Sequence, residues 1–214
     1  MSQLSIITGR VGPVMNADGT NLQPIRTAKS NELCVTQAHG KYYEAAHRGV
    51  LFAAQEQGSG VAGGHALSTT ALLTLYNPQG SGKRLSINKV SLGYISGTLG
   101  VGTFYHCINN SSTQTAPSGG TSLTPVASDI GNTATPVAKA LVNNTVVTPV
   151  AYRAFAACGA FVGGANNAPA PCTEDIDGEI VVEPGCTYQL QFVGTGGTSP
   201  ALSPGITWEE IQIV

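Results

Sequence analysis

The chain has 214 residues, only 10% of them charged, with 27 glycines and a net charge of −2. Such a length suits one sizeable β domain or two small ones and buries roughly 70% of the unfolded chain's surface, so folding requires neither a metal nor a disulfide. Dispersed basic residues, few aromatics and an acidic balance argue against nucleic acid as a partner, and no stretch approaches the ~20 continuous apolar residues of a membrane span.

Residues 1 to about 30 mix Gly, Pro, Asn and Thr with single apolar residues and keep no period, the pattern of an extended arm without its own core. Between Asn31 and Ala54, the residues Leu33, Val35, Tyr42, Tyr43, Leu51 and Phe52 gather around Gly40 and Gly49. Two or three short strands fit this text, with Tyr42 to His47 able to form one helical turn. Gln55 to Ala66, QEQGSGVAGGHA, reads as a Gly-rich linker. The expected organisation is an N-terminal, partner-docking arm over 1–54, a linker over 55–66 and a β domain over 67–214. Removing 1–54 is expected to leave that domain folded.

Ala71 to Tyr76 and Leu85 to Ile95 read as the first hairpin of this domain, joined by Asn77-Pro78 and a glycine-rich tip. In the second strand Leu85 and Ile87 share a face with Val90, Leu92 and Tyr94 only if one residue is inserted near Asn88-Lys89, which predicts a β-bulge. GTFYHCIN, residues 102–109, is a further strand. Residues 109–150, rich in Ser, Thr, Asn and Pro, form a long excursion of a length that compact domains keep for function or for contact with a partner. AYRAFAACGAFVGG, 151–164, returns to strand. GEIVVEPGCTYQLQFVG reads as strand, Pro184-Gly185 turn and strand, with Cys186, Tyr188, Leu190 and Phe192 on one face. In the closing GITWEEIQIV, Ile206 and Trp208 lie in one phase and Ile211 and Ile213 in the other, which implies a second bulge near Glu209-Glu210. Short strands, Gly/Pro turns and little helical period predict an all-β fold, an antiparallel β-sandwich of jelly-roll type preceded by an extended N-terminal arm.

Gly-Ser-Gly-Lys at 80–83 matches the end of a phosphate-binding loop, but Asn77 stands where the first glycine belongs and Arg84 where a magnesium-binding hydroxyl belongs. A strand, not a helix N-terminus, follows it, so the segment reads as a turn. Of His39, His47, His65 and His106 none has a metal-ligand partner at a productive spacing, and each reads first as an ordinary polar surface residue. CTEDIDGE, 172–179, gathers Glu174, Asp175, Asp177 and Glu179 without the glycine and glutamate positions of an EF-hand, and reads as a solvated loop ahead of a cation site. No Gly-x-Ser-x-Gly elbow occurs. These residues assign no catalytic, metal or cofactor site.

Before residue 90 eight basic side chains face four acidic ones, and after it two face eight. This gradient suits an arm lying on the acidic face of a neighbour, and it equally describes scattered solvated charge. Met1-Ser-Gln-Leu-Ser-Ile-Ile lacks the basic head and apolar run of a signal peptide, so synthesis in the cytosol is expected. Cys34, Cys107, Cys158, Cys172 and Cys186 are odd in number and form no Cys-x-x-Cys, which suggests reduced, mostly buried thiols.

AHGKYYEAAHRGVLFAA (38–54), LYNPQGSGKRLSINKVSLGY (75–94) and VVEPGCTYQLQF (181–192) together resemble small virion structural proteins of tailed bacteriophages, in which a short N-terminal region leads into a β-sandwich that decorates or cements the capsid. The resemblance implies a non-enzymatic homo-oligomer, a trimer, made in the host cytoplasm and placed on the capsid surface against the major capsid protein. Within that reading Tyr42, Tyr43, Arg48 and Phe52 are the candidate partner-binding anchors, since Tyr, Phe and Arg are enriched at interface hot spots. The competing reading places both tyrosines and Phe52 in the chain's own core. Two other functions remain open: a tail or fibre protein whose 109–150 excursion faces a host receptor, and a carbohydrate-binding or hydrolytic jelly roll with the 174–179 loop at its site.

Overall fold

The computed structural model describes residues 8–10, 22–24, 40–64, 66–109, 116–147, 149–158, 172–194 and 200–213. Met1–Lys41 and Tyr42–Val214 are two compact units. In the first, β1 (Thr8–Arg10) and β2 (Leu22–Pro24) pair antiparallel, with Thr8 opposite Pro24.

The second unit opens with one helical turn, α1 (Tyr43–His47), closed by Gly49 at φ 67. Eight strands then carry the architecture: β3 (Leu51–Gln55), β6 (Leu73–Tyr76), β7 (Lys83–Ser96), β8 (Gly102–Asn109), β13 (Val150–Cys158), β14 (Cys172–Asp175), β16 (Thr187–Gly194) and β17 (Ala201–Gln212). Shorter pieces complete the set: β4 (Val61–Ala62), β5 (Thr70–Ala71), β9 (Thr121–Ser122), β10 (Val126–Ala127), β11 (Lys139–Val142), β12 (Asn144–Thr145) and β15 (Val181–Val182). Among the eight, the first pairs with the last, the second with the seventh, the third with the sixth and the fourth with the fifth, all antiparallel. That nested pairing is the jelly roll. One sheet runs β3-β17-β7-β14 and the other β6-β16-β8-β13. Their inner faces meet in a core that includes Phe52, Ile87, Val90, Ile206 and Trp208 from the first sheet, and Leu75, Phe104, Tyr188, Leu190 and Phe192 from the second.

The bulge in β7 lies where the apolar phase requires it. Thr207 of β17 stands opposite Lys89 and Trp208 opposite Ile87, leaving Asn88 as the extra residue. Leu85, Ile87, Val90 and Leu92 thereby all reach the core. The displaced Asn88 carbonyl accepts the backbone N–H groups of Ile176 (2.8 Å) and Asp177 (3.0 Å), so the bulge also seats the turn between β14 and β15.

Three expectations are corrected. β6 and β7 do not form a hairpin: they belong to different sheets, and Asn77 to Gly82 carries the chain from one to the other. Pro184-Gly185 is the turn its chemistry predicts, and it too takes the chain from one sheet to the other, from β15 to β16. The register of β17 stays in step from Trp208 to Gln212, without a bulge at Glu209-Glu210. Glu210 takes the inward position and Ile211 and Ile213 remain partly exposed, because the buried carboxylate receives Lys83 Nζ at 2.8 Å and the N–H groups of Val137 (2.8 Å) and Ala138 (3.0 Å). Finally, the unit boundary falls after Lys41, not after Ala54. β3 is a full strand beside β17, and β4, within the expected linker, pairs with Ala201 and Leu202.

The 109–150 excursion contains short strands. β11 extends the second sheet beyond β6 and β10 extends the first beyond β3, so one flank of the sandwich has both sheet edges covered by backbone. At the opposite flank β13 and β14 are outermost among the described residues. β13 carries two register shifts, which leave Tyr152 and Phe155 as extra residues opposite β8.

A chain beginning at Tyr42 should therefore keep a cooperative thermal transition, whereas removal of residues 1–54 takes away β3 with Phe52 and should abolish it; calorimetry of the two truncations separates these outcomes. Replacement of Glu210 by Ala orphans two N–H groups and the Lys83 partner, and should cost roughly 2–4 kcal/mol in urea denaturation while exposing residues 116–147 to proteolysis.

Candidate functional site

The four candidate anchors separate in the fold. Phe52 is 1% exposed and packs on Trp208 with ring centroids 6.0 Å apart, so a partner cannot touch it. Its inward phase in β3, opposite Trp208, makes it core. Tyr42 is half-buried and its hydroxyl donates to Asp177. Tyr43 is exposed and stacks on His47, and Arg48 is exposed 3.9 Å from Glu44. Tyr43, on α1, and Arg48, just after it, thus lie at the surface.

The carboxylates of the 172–179 segment do not converge on a point. Asp175 meets Lys89 Nζ at 3.0 Å, Asp177 accepts from Tyr42, and Glu179 receives Arg153 (3.2 Å) and the Tyr152 hydroxyl (3.0 Å). Glu174 is held by Arg153 and His106. Each acid already has a donor from the protein, so the segment is ion-paired rather than simply solvated. Among the described residues no three His, Cys, Asp or Glu side chains assemble as metal ligands.

His106 is not a surface histidine. Along β8 it alternates with Phe104 on the core face, and it is 0% exposed. The ring lies 4.8 Å from Phe155 and 5.7 Å from Tyr188 between centroids. Its two nitrogens are both used: Nε2 is 2.7 Å from Glu174 Oε2 and Nδ1 is 2.6 Å from the Tyr188 hydroxyl. A carboxylate can only accept, which assigns the hydrogen to Nε2 and makes Nδ1 the acceptor of the Tyr188 O–H. The result is a relay running from Tyr188 in one sheet, through a neutral imidazole, to Glu174 in the other.

The electrostatics follow from burial and pairing. Burial holds the His106 pKa below its ordinary value, although the Glu174 hydrogen bond pulls the other way. Burial alone would raise Glu174, but donation from His106 and Arg153 outweighs it and the carboxyl titrates below its usual range. Tyr188, wholly enclosed, is pushed well above the ordinary phenol value. Next along β8, burial raises the Cys107 thiol to about 12, in keeping with an inert, reduced side chain.

A hydroxyl, an imidazole and a carboxylate in line are the parts of a nucleophilic relay. Here the hydroxyl is 0% exposed, so no substrate reaches it, and the relay instead ties one sheet to the other. Sequence spacing could not reveal the set, since Glu174 and Tyr188 lie 68 and 82 residues from His106. The available signal was phase: a histidine in the row of Phe104 needs a buried partner.

A shallow cavity of about 110 Å³ opens on the outer face of the first sheet, lined by Ala53, Gln55, Ser91, Val126 and Thr207 among others. Gln55 is engaged there by Ser203 Oγ (2.7 Å) and Ser91 Oγ (3.2 Å).

Tyr188→Phe removes the donor to Nδ1 without opening a large void and should cost about 1–3 kcal/mol with the fold retained, as read from the urea midpoint and far-ultraviolet circular dichroism. No family model, no curated protein and no solved structure matches the chain.

Proposed function

We propose that the chain is a non-enzymatic virion structural protein, a capsid decoration or cement protein that binds copies of itself, as a trimer, and the major capsid protein on the capsid surface. The observation that carries the reading is the distribution of polarity. Val126, Val150, Tyr152, Val181 and Ile211 are exposed, and Ile130 reaches 97% exposure at the Asp129 to Asn132 turn. The buried ionisable groups, by contrast, are consumed inside the fold. A surface with scarce charge and exposed aliphatic side chains is suited to burial against neighbours. The resemblance of residues 38–54, 75–94 and 181–192 to phage virion proteins supports the same reading.

The unit Met1–Lys41 is the part that docks. Its described two-stranded ladder, three residue pairs long, is marginal by itself in water, and a capsid surface would add contacts to it. In the second unit, Tyr43 and Arg48 are the exposed candidates for contact with the same partner. A carbohydrate-binding or hydrolytic role would need free carboxylates in the 174–179 segment, and these are engaged by Arg153, Lys89, Tyr42 and Tyr152.

Quantitative mass spectrometry of purified phage particles tests the proposal. Copies comparable to the major capsid protein are expected. A few copies per particle would move the chain to the tail or a fibre, and absence from particles would overturn the virion reading.

A further inference from the structure

We infer that the β13–β14 flank is an acid-released latch: neutral His106 holds the two sheets together there, and its protonation frees β14 and the turn after it while the core stays folded.

The two flanks of the sandwich are closed differently. β10 and β11 cover one with backbone ladders, whereas at the other β14 is attached to the first sheet by four residue pairs with β7, and β13 to the second by its ladder with β8. Among the described residues the bridge between these outer strands consists of side chains: Glu174 of β14 to His106 of β8 and Arg153 of β13, and Arg153 onward to Glu179. Local opening at such a place costs less than global unfolding.

A second proton upsets the donor order of the relay. Nδ1 accepts from Tyr188, so a proton there makes the phenol oxygen the acceptor and takes from the Tyr188 hydrogen its His106 acceptor, while placing a charge in a site closed to solvent. The groups facing the imidazole are Glu174 from β14, Arg153 from β13, Glu179 before β15 and Tyr188 from β16, with Cys107 next to it on its own strand. At the level of Glu174 and Cys172, β7 presents Val90 and Leu92, which do not titrate. Glu174 favours the imidazolium, Arg153 opposes it, and burial decides the balance.

The closed flank therefore binds fewer protons at this site than the opened one. Opening lets His106 return to its ordinary pKa of about 6.5 and takes up a proton below it, so the opening constant rises as pH falls, by up to about fivefold between 6.5 and 5.5, until the depressed pKa is reached. Above about 6.5 the latch is at full strength. Glu174, held below its ordinary range, stays ionised down to pH 5.5 and does not confuse the window.

Hydrogen–deuterium exchange of the full chain between pH 7.5 and 5.5, corrected for intrinsic exchange rates, reads the latch directly. Peptides spanning 150–158 and 172–182 should show a rise in opening of up to about fivefold from pH 6.5 to 5.5, with 72–76 and 187–193 unchanged. His106→Gln, which cannot titrate, should flatten the profile. A pH-independent flank overturns the inference, and so does a parallel rise in all four peptides, which would mean global unfolding. The wild-type profile decides even if the variant does not fold.

Discussion

Asn77 joins two corners of the fold. It is fully buried, and its backbone N–H donates to the Cys186 carbonyl at 3.1 Å while its own carbonyl accepts from Gly185 at 2.8 Å. Its side-chain amide donates to the carbonyls of Lys83 (2.7 Å) and Val182 (2.9 Å), and its Oδ1 accepts from Ser81 at 2.7 Å. These bonds fasten the β6-to-β7 corner onto the β15-to-β16 corner, so two crossings between the sheets are set by one residue. An asparagine suits the place because one short side chain offers both donors and an acceptor, leaving little unsatisfied when water is excluded. Arg84 and Glu183, 2.7 Å apart at the rim, pair across the same two corners. Gly80 and Gly82, at φ +75 and +69, let the first corner be tight enough to bring Lys83 back to Asn77.

From these corners the sandwich extends toward two unlike flanks. Glu210 organises one by receiving Lys83, the first residue of β7, together with two backbone groups of the excursion, so a buried carboxylate fixes where the long connection returns to the body. The other flank depends on His106, Arg153 and Glu174. Both flanks place an acid inside or near the core and supply it with donors from distant parts of the chain, which is the condition under which buried charge is tolerated.

Much of the fold was legible in residue phase. The jelly-roll class followed from short alternating strands, and the Asn88 bulge from the positions of Leu85, Ile87, Val90 and Leu92. Phase failed where a polar residue won an inward place: Ile211 and Ile213 suggested a bend in β17, yet Glu210 is buried because partners at residues 83, 137 and 138 satisfy it. Turn chemistry identified Asn77-Pro78 and Pro184-Gly185 correctly as turns. It could not tell a hairpin from a crossing, since that choice depends on which strand pairs with β6 and β7, and the partners lie far along the chain. For the same reason the His106 relay was hidden and sequence alone did not decide between anchor and core for Phe52.

β13 is an outer strand built from VAYRAFAAC, with no proline and with its one charge turned toward Glu174. A strand of this composition would ordinarily invite another chain to zip along its open side. The extra residues Tyr152 and Phe155 cut its regular ladder into runs of two, two and three residue pairs, and each interruption rotates the next donors and acceptors out of line. Among the described residues this edge thus offers a neighbouring chain no long regular ladder to extend, a property that discourages fibrillar stacking.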